Sequence, residues 1–282
     1  MSSPVWFITG ASNGLGLYLC LRALKAGHRV VGSIRNKTKS ADAVKQIESA
    51  GGKVIELDLN EPQESITKKI KAVGQIDYLV NNAGFFVLGA VEQVTEKEAQ
   101  LQLQTNFFGP LYTTQAALEG MRARRSGTIV NITSIAARDP QPTSGMYAAS
   151  KAALEGLSES LAIEVAPFNI AVLIVEPGAF RTNFLAALSL PSAELSKDYD
   201  GTVVEQAREK FLTFGGKQVG DPQKGVDRIF EAVTGEGLAG KLTGKVRRLV
   251  IGRDALERNR KAIDRFTADL NLGEEIALST DY

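Results

Sequence analysis

The stretch Val5-Trp6-Phe7-Ile8-Thr9-Gly10-Ala11-Ser12-Asn13-Gly14-Leu15-Gly16 decides the fold. Val5–Thr9 is a short apolar run, suited to a strand buried on both faces. Gly10, Gly14 and Gly16 follow at once, and residues near 14–26 then read as a helix. Glycines let the chain turn tightly and let its backbone approach a bound group closely. The helix start adds unpaired N–H groups and the positive end of the helix dipole. A strand, a glycine turn and a helix in that order form a cradle for a pyrophosphate.

Outward from this unit the alternation continues. Strands are expected at Arg29–Ile34, Lys53–Leu57, Asp77–Val80, Thr128–Thr133 and Ile170–Val175. Helices are expected near 40–50, 62–73, 95–120 and 145–166. Such alternation implies right-handed crossovers and a doubly wound, Rossmann-type parallel sheet of about seven strands in one α/β domain, residues 1–282. After Pro177 the rhythm breaks. Residues 181–220 read as irregular, contain Phe184, Leu185, Leu188, Leu190, Phe211 and Phe214, and are expected to form a substrate lid. A helix near 222–234, a strand at Leu249–Ile251 and a charged helix near 254–270 close the chain.

Composition narrows the function. Of 282 residues, 44% are apolar and 23% charged, with a formal net charge of +1. That balance gives no reason to expect nucleic acid or an anionic membrane as partner. Cys20 and His28 are the only residues of their types, which leaves no intrachain disulfide and no multi-cysteine metal site, so no metal is expected. His28 reads as a solvated turn residue. The basic cluster Arg122, Arg124 and Arg125 falls at a helix C-terminus, where cations complement the dipole. With no secretory signal or long apolar segment in evidence, a cytoplasmic protein without membrane insertion is expected.

The spacing T-G-x-x-x-G-x-G is not that of the common G-x-G-x-x-G fingerprint. With Asp58-Leu59, Asn81-Asn82-Ala83-Gly84, Asn106, Ser134, Tyr147-x-x-x-Lys151 and Pro177-Gly178 following in order, the chain resembles the short-chain dehydrogenase/reductase family. The resemblance is strong over about residues 5–182. It implies a nicotinamide cofactor held by Gly10, Ser12, Asn13, Leu15 and Gly16 in the first turn. It also implies adenine contact by Asp58 and Leu59, and an adenosine wall of Asn82, Ala83 and Gly84. Pro177, Gly178, Phe180 and Thr182 would wrap the nicotinamide carboxamide. Ser134 would polarise the substrate oxygen, and Asn106 would hold a water that links the lysine to solvent. Self-association as a homodimer or homotetramer, through the helices near 95–120 and 145–166, is expected on the same ground.

Two further expectations come from the residues. A carboxylate at the end of the second strand would favour NAD(H) by bonding the ribose 2′-hydroxyl. By register that position is Ile34, and Arg35 follows, with a planar fork suited to a 2′-phosphate. NADP(H) is therefore expected over NAD(H), although Asn13 stands where many NADP-preferring relatives carry a basic residue. Tyr147 and Lys151 are four apart on an expected helix and share a face. An adjacent ammonium would pull the phenol below its usual pKa near 10 and make Tyr147 a general acid and base. Phe85, Phe86 and the lid aromatics would line an apolar pocket for a ketone, aldehyde or alcohol, or would be core; the sequence leaves both open. The alternative function is a non-catalytic NADP(H)-binding regulator, which would typically have lost Tyr147 or Lys151.

Overall fold

The computed structural model describes residues 3–282. Seven parallel strands form one sheet in the order β3-β2-β1-β4-β5-β6-β7. They are β1 (Val5–Thr9), β2 (Arg29–Ile34), β3 (Lys53–Glu56), β4 (Tyr78–Asn81), β5 (Gly127–Ile132), β6 (Ile170–Pro177) and β7 (Arg248–Ile251). The expected single domain with a doubly wound sheet is what forms.

All five residues of β1 are buried, because the strand carries helices on both faces and successive side chains point opposite ways. Trp6 and Ile8 enter the core under α1 (Gly14–Lys25), α2 (Ala41–Ser49) and α8 (Pro222–Thr234). Phe7 enters the core under α3 (Gln63–Lys71), α5 (Gly109–Arg124) and α6 (Gly145–Val165). The indole N–H of Trp6 donates to His28 Nδ1 at 2.8 Å. His28 is therefore a structural acceptor rather than a free turn residue. Burial lowers its pKa, which favours the neutral ring that can accept.

Strand order reverses between β1 and β4, and there the carboxyl ends of the strands open a crevice. β3 stops at Glu56, one residue short of the expected end. The single helix expected over 95–120 is interrupted. α4 (Glu96–Leu103) passes through a wide π-helical turn at Gln104–Phe108 before α5 begins. Such turns reset the direction of side chains and recur at functional sites. Here the turn directs Asn106 into the interior, where it is wholly buried.

The 181–220 segment is more ordered than expected. It contains a helix, α7 (Val203–Thr213), started by Thr202, whose hydroxyl accepts from the Val204 amide. The segment is also fastened to the loop after β4. Leu88 N–H donates to the Ser189 carbonyl and Ser189 N–H to the Phe86 carbonyl, both at 2.9 Å. A short helix, α9 (Gly237–Gly240), precedes β7. The last helix, α10 (Arg253–Leu278), runs beyond the expected end. Among the described residues no helix is long and apolar enough to cross a membrane.

Candidate active site

Thr9, the last residue of β1, organises the crevice. Its buried hydroxyl accepts from the N–H groups of Asn82 and Ala83, each at 3.0 Å. Asn82 returns its side-chain amide to the carbonyls of Thr9 (2.9 Å) and Gly10 (3.2 Å). The turns after β1 and β4 are thereby one unit. Thr9 was not among the residues singled out from sequence; a threonine closing the strand before the first glycine is the signal that could have found it.

The glycines are required by space. Gly10 has φ +68°, and a Cβ there would lie 2.7 Å from Ala83 Cα. A Cβ on Gly16 would lie 2.3 Å from the Gly10 carbonyl oxygen. A Cβ on Gly14, at φ +55°, would lie 3.4 Å from Thr182 Cβ, so Thr182 lies close to the glycine turn. α1 starts at Gly14 with no side-chain cap from Asn13 and no acidic residue in its first turn. Its leading N–H groups are left available to an anion. Ser12 and Leu15 are partly buried along this turn and Asn13 is exposed. This cradle fits a dinucleotide pyrophosphate.

Ile34 is buried in the core and cannot face a ribose. Arg35, the next residue, is exposed at the carboxyl end of β2. Asp58 lies just past β3, its carboxylate accepting from both N–H groups of Asn60 at 2.9 and 2.8 Å. Leu59 is buried against Gly109, where a Cβ would lie 2.8 Å from its own Cβ. Pro177 ends β6. Gly178 donates its N–H to the Ile251 carbonyl at 2.9 Å, and a Cβ on it would overlap Asp254. The Phe180 ring is turned away from this crevice and packs on Gly220 and Gly225, so only its backbone remains to meet a ligand.

Asn106, Ser134, Tyr147 and Lys151 converge beyond the ends of β4 and β5. Asn106 Oδ1 accepts from Phe85 N–H at 3.1 Å, and its amide donates to the Phe85 carbonyl and to Ser150 Oγ, both at 3.0 Å. A Cβ on Gly84 would lie 3.2 Å from Asn106 Oδ1 and 3.4 Å from Lys151 Nζ, which measures how tightly these groups close together. Ser134 follows β5 and its hydroxyl accepts from Ala136 N–H at 3.1 Å. Tyr147 and Lys151 sit one turn apart on α6 and both are buried.

One electrostatic expectation is corrected. Burial pushes the Tyr147 phenol up to about 12, and the group that pulls it back is the Ser134 hydroxyl, not Lys151. Lys151 donates to the Ile132 carbonyl at 2.8 Å and lies 5.9 Å from the Tyr147 ring centre. Burial lowers Lys151 itself to about 8, against the opposing field of Glu155.

Around the phenol the surroundings are apolar. Phe86 stacks on Tyr147 at 4.6 Å between ring centres, and Phe184 approaches at 5.9 Å. Phe211, from α7, meets Phe86 edge-on at 5.4 Å. Leu88, Ala136 and Leu188 complete the group. Phe86, Phe184 and Phe211 are core here, because the 181–220 segment packs directly onto Tyr147 and Phe86. A cleft of about 210 Å³ lies at the glycine turn, lined by Gly14 and Tyr18 on one side and by Arg181, Thr182, Asn183, Ala186, Gly215 and Gly216 on the other.

Residues 4–192 match the family model described as short chain dehydrogenase. The chain belongs to that family. An oxidoreductase of Passalora fulva, claN, is 43% identical over 206 residues, covering 72% of this chain and 93% of its own. A 3-ketodihydrosphingosine reductase of Bacteroides thetaiotaomicron is 39% identical over 185 residues, 65% of this chain and 66% of its own. Among solved structures, a short-chain dehydrogenase from Streptomyces avermitilis superposes with a TM-score of 0.87 at 36% identity, covering 100% of both chains. This short-chain dehydrogenase is an oxidoreductase by family, with the family's nicotinamide-binding fold.

Proposed function

We propose that this short-chain dehydrogenase interconverts a carbonyl and an alcohol on a small apolar substrate, with NADP(H) as cofactor. The observation that carries the reading is the convergence of Asn106, Ser134, Tyr147 and Lys151 beside the glycine cradle, under an aromatic wall. Gly10, Ser12, Asn13, Leu15 and Gly16 would hold the pyrophosphate, with Asn82, Ala83 and Gly84 against the adenosine side. Pro177, Gly178, the Phe180 backbone and Thr182 would border the nicotinamide. Arg35 supplies the charge that favours a 2′-phosphate. The bound nicotinamide supplies or accepts the hydride.

The chain's own residues handle the proton. The Ser134 hydroxyl orients the substrate oxygen and lowers the Tyr147 phenol. Tyr147 gives its proton to a nascent alkoxide during reduction; in the reverse direction only its phenolate can take one from the alcohol. General acid–base help of this kind is worth about 10²- to 10⁴-fold. Lys151 holds positive charge near the phenol and the ribose, and the Phe86, Phe184 and Phe211 wall excludes water, which strengthens each of these interactions. The long-chain ketone named for the Bacteroides relative agrees with an apolar substrate here.

Tyr147→Phe is the decisive variant, assayed with NADPH and a panel of aromatic and long-chain ketones. Turnover should fall to the background while NADPH binding persists. A variant that keeps most of its activity would require another acid. A wild type that binds NADPH but turns over no member of the panel would favour a regulator.

A further inference from the structure

Charged groups that the reaction does not use gather beneath the site. Glu155 lies on α6 one turn beyond Lys151 and is only 4% exposed. Its Oε2 accepts from Arg248 at 2.9 Å and pairs with Arg138 at 3.0 Å. Its Oε1 is buried with no hydrogen-bond partner among the described residues. Glu176, fully buried and directly before Pro177, pairs with Arg248 and accepts from Asn259 at 2.9 Å. Glu159 draws on the same Arg248 at 2.9 Å and on Arg247 at 3.5 Å.

The positions of these residues matter as much as their charges. Arg138 follows the short turn that Ser134 begins, Glu155 sits on the helix of Tyr147 and Lys151, and Glu176 precedes the Pro177–Gly178 loop. One cluster therefore joins three walls of the site. Three carboxylates, Glu155, Glu159 and Glu176, are matched by three guanidiniums, of which Arg138 and Arg247 are the more exposed and Arg248 is the one shared by all three. Burial and the neighbouring Glu176 raise Glu155 above the usual carboxylate range, and the two arginines oppose this. Residues at helical spacing i, i+4 lie about 5–6 Å apart at Cβ, close enough for Glu155 to act on a buried ammonium.

We propose that Glu155 is a positioning residue of this site: clamped by Arg138 and Arg248, its carboxylate keeps Lys151 charged and locks the Ser134 turn against the Tyr147 helix. This rests on the reading of Lys151 as a cofactor-binding cation. Neutralising Glu155 removes the field that opposes the burial of Lys151, so Lys151 gives up its proton at lower pH. The change is confined to a window, because at pH 6 Lys151 is charged with or without Glu155.

The test is NADPH binding to the full chain, followed by nucleotide fluorescence from pH 6 to 9, for wild type, Glu155→Gln and Glu155→Asp. Glu155→Gln should match wild type at pH 6, and its binding should fade about one pH unit earlier. Glu155→Asp, which keeps the charge, should retain the wild-type midpoint. A loss of equal size at every pH, or equal midpoints for all three proteins, overturns the proposal. Should Glu155→Gln not fold, Arg138→Gln carries the test by amide hydrogen exchange. Exchange at Ile135–Arg138 should accelerate at least tenfold; unchanged exchange overturns the lock. Absence of NADPH binding in the wild type would instead remove the reading of the site itself, and this inference with it.

Discussion

Lys151 presents its ammonium to the main-chain carbonyl of Ile132 at 2.8 Å. The lysine is thus anchored to the end of β5 and is held by the sheet, one helical turn from the Tyr147 phenol. Ordering so long a side chain costs rotamer entropy, and the anchor means that this cost has been met before any ligand arrives.

The same geometry predicts the titration of the phenol. With burial raising Tyr147 to about 12, the difference in 295 nm absorbance between wild type and Tyr147→Phe, without added nucleotide, should stay flat to pH 10. A phenolate signal growing in at pH 8–9 would sink this prediction. The sign for stability follows. An acid raised in the folded state above its unfolded value of 10.0 favours folding below that pH, and the benefit is lost as pH climbs from 10 toward 12.

Gly10→Ala tests the cradle. Its φ of +68° is strained for alanine, and the new methyl would lie 2.7 Å from Ala83 Cα, which Thr9 holds in place. A cost of about 1–3 kcal/mol in urea unfolding is expected, together with loss of nucleotide binding. Wild-type stability and affinity in this variant would mean that the turns after β1 and β4 yield easily.

Arg35→Asp tests the cofactor preference. The side chain is exposed at the end of β2, so its removal should leave folding intact. Loss of a charge-assisted contact should weaken NADPH by roughly 10- to 100-fold and leave NADH nearly unchanged. Equal weakening of both nucleotides would exclude Arg35 as the discriminating residue.

Phe211→Ala tests the lid. Phe211 meets Phe86 from a helix with no fully buried residue, so the cost should appear in substrate affinity more than in stability. KM for an apolar ketone should rise about tenfold with kcat little altered. A fall in kcat at constant KM would show that α7 positions the chemistry instead of enclosing the substrate.

Sequence alone determined the alternation of strands and helices, the glycine turn and the spacing of Tyr147 and Lys151, because these depend on local pattern and on residues close in the chain. Tertiary structure decided what depends on neighbours far apart in sequence. Asn106 turns inward only because a π-helical turn breaks the helix that its periodicity suggested. Phe180 goes to the core because Gly220 and Gly225 leave room for its ring. The Tyr147 phenol is raised rather than lowered because desolvation by burial outweighs the Ser134 hydroxyl, while the same burial lowers Lys151. Burial is a property of the assembled fold, and no spacing rule carries it.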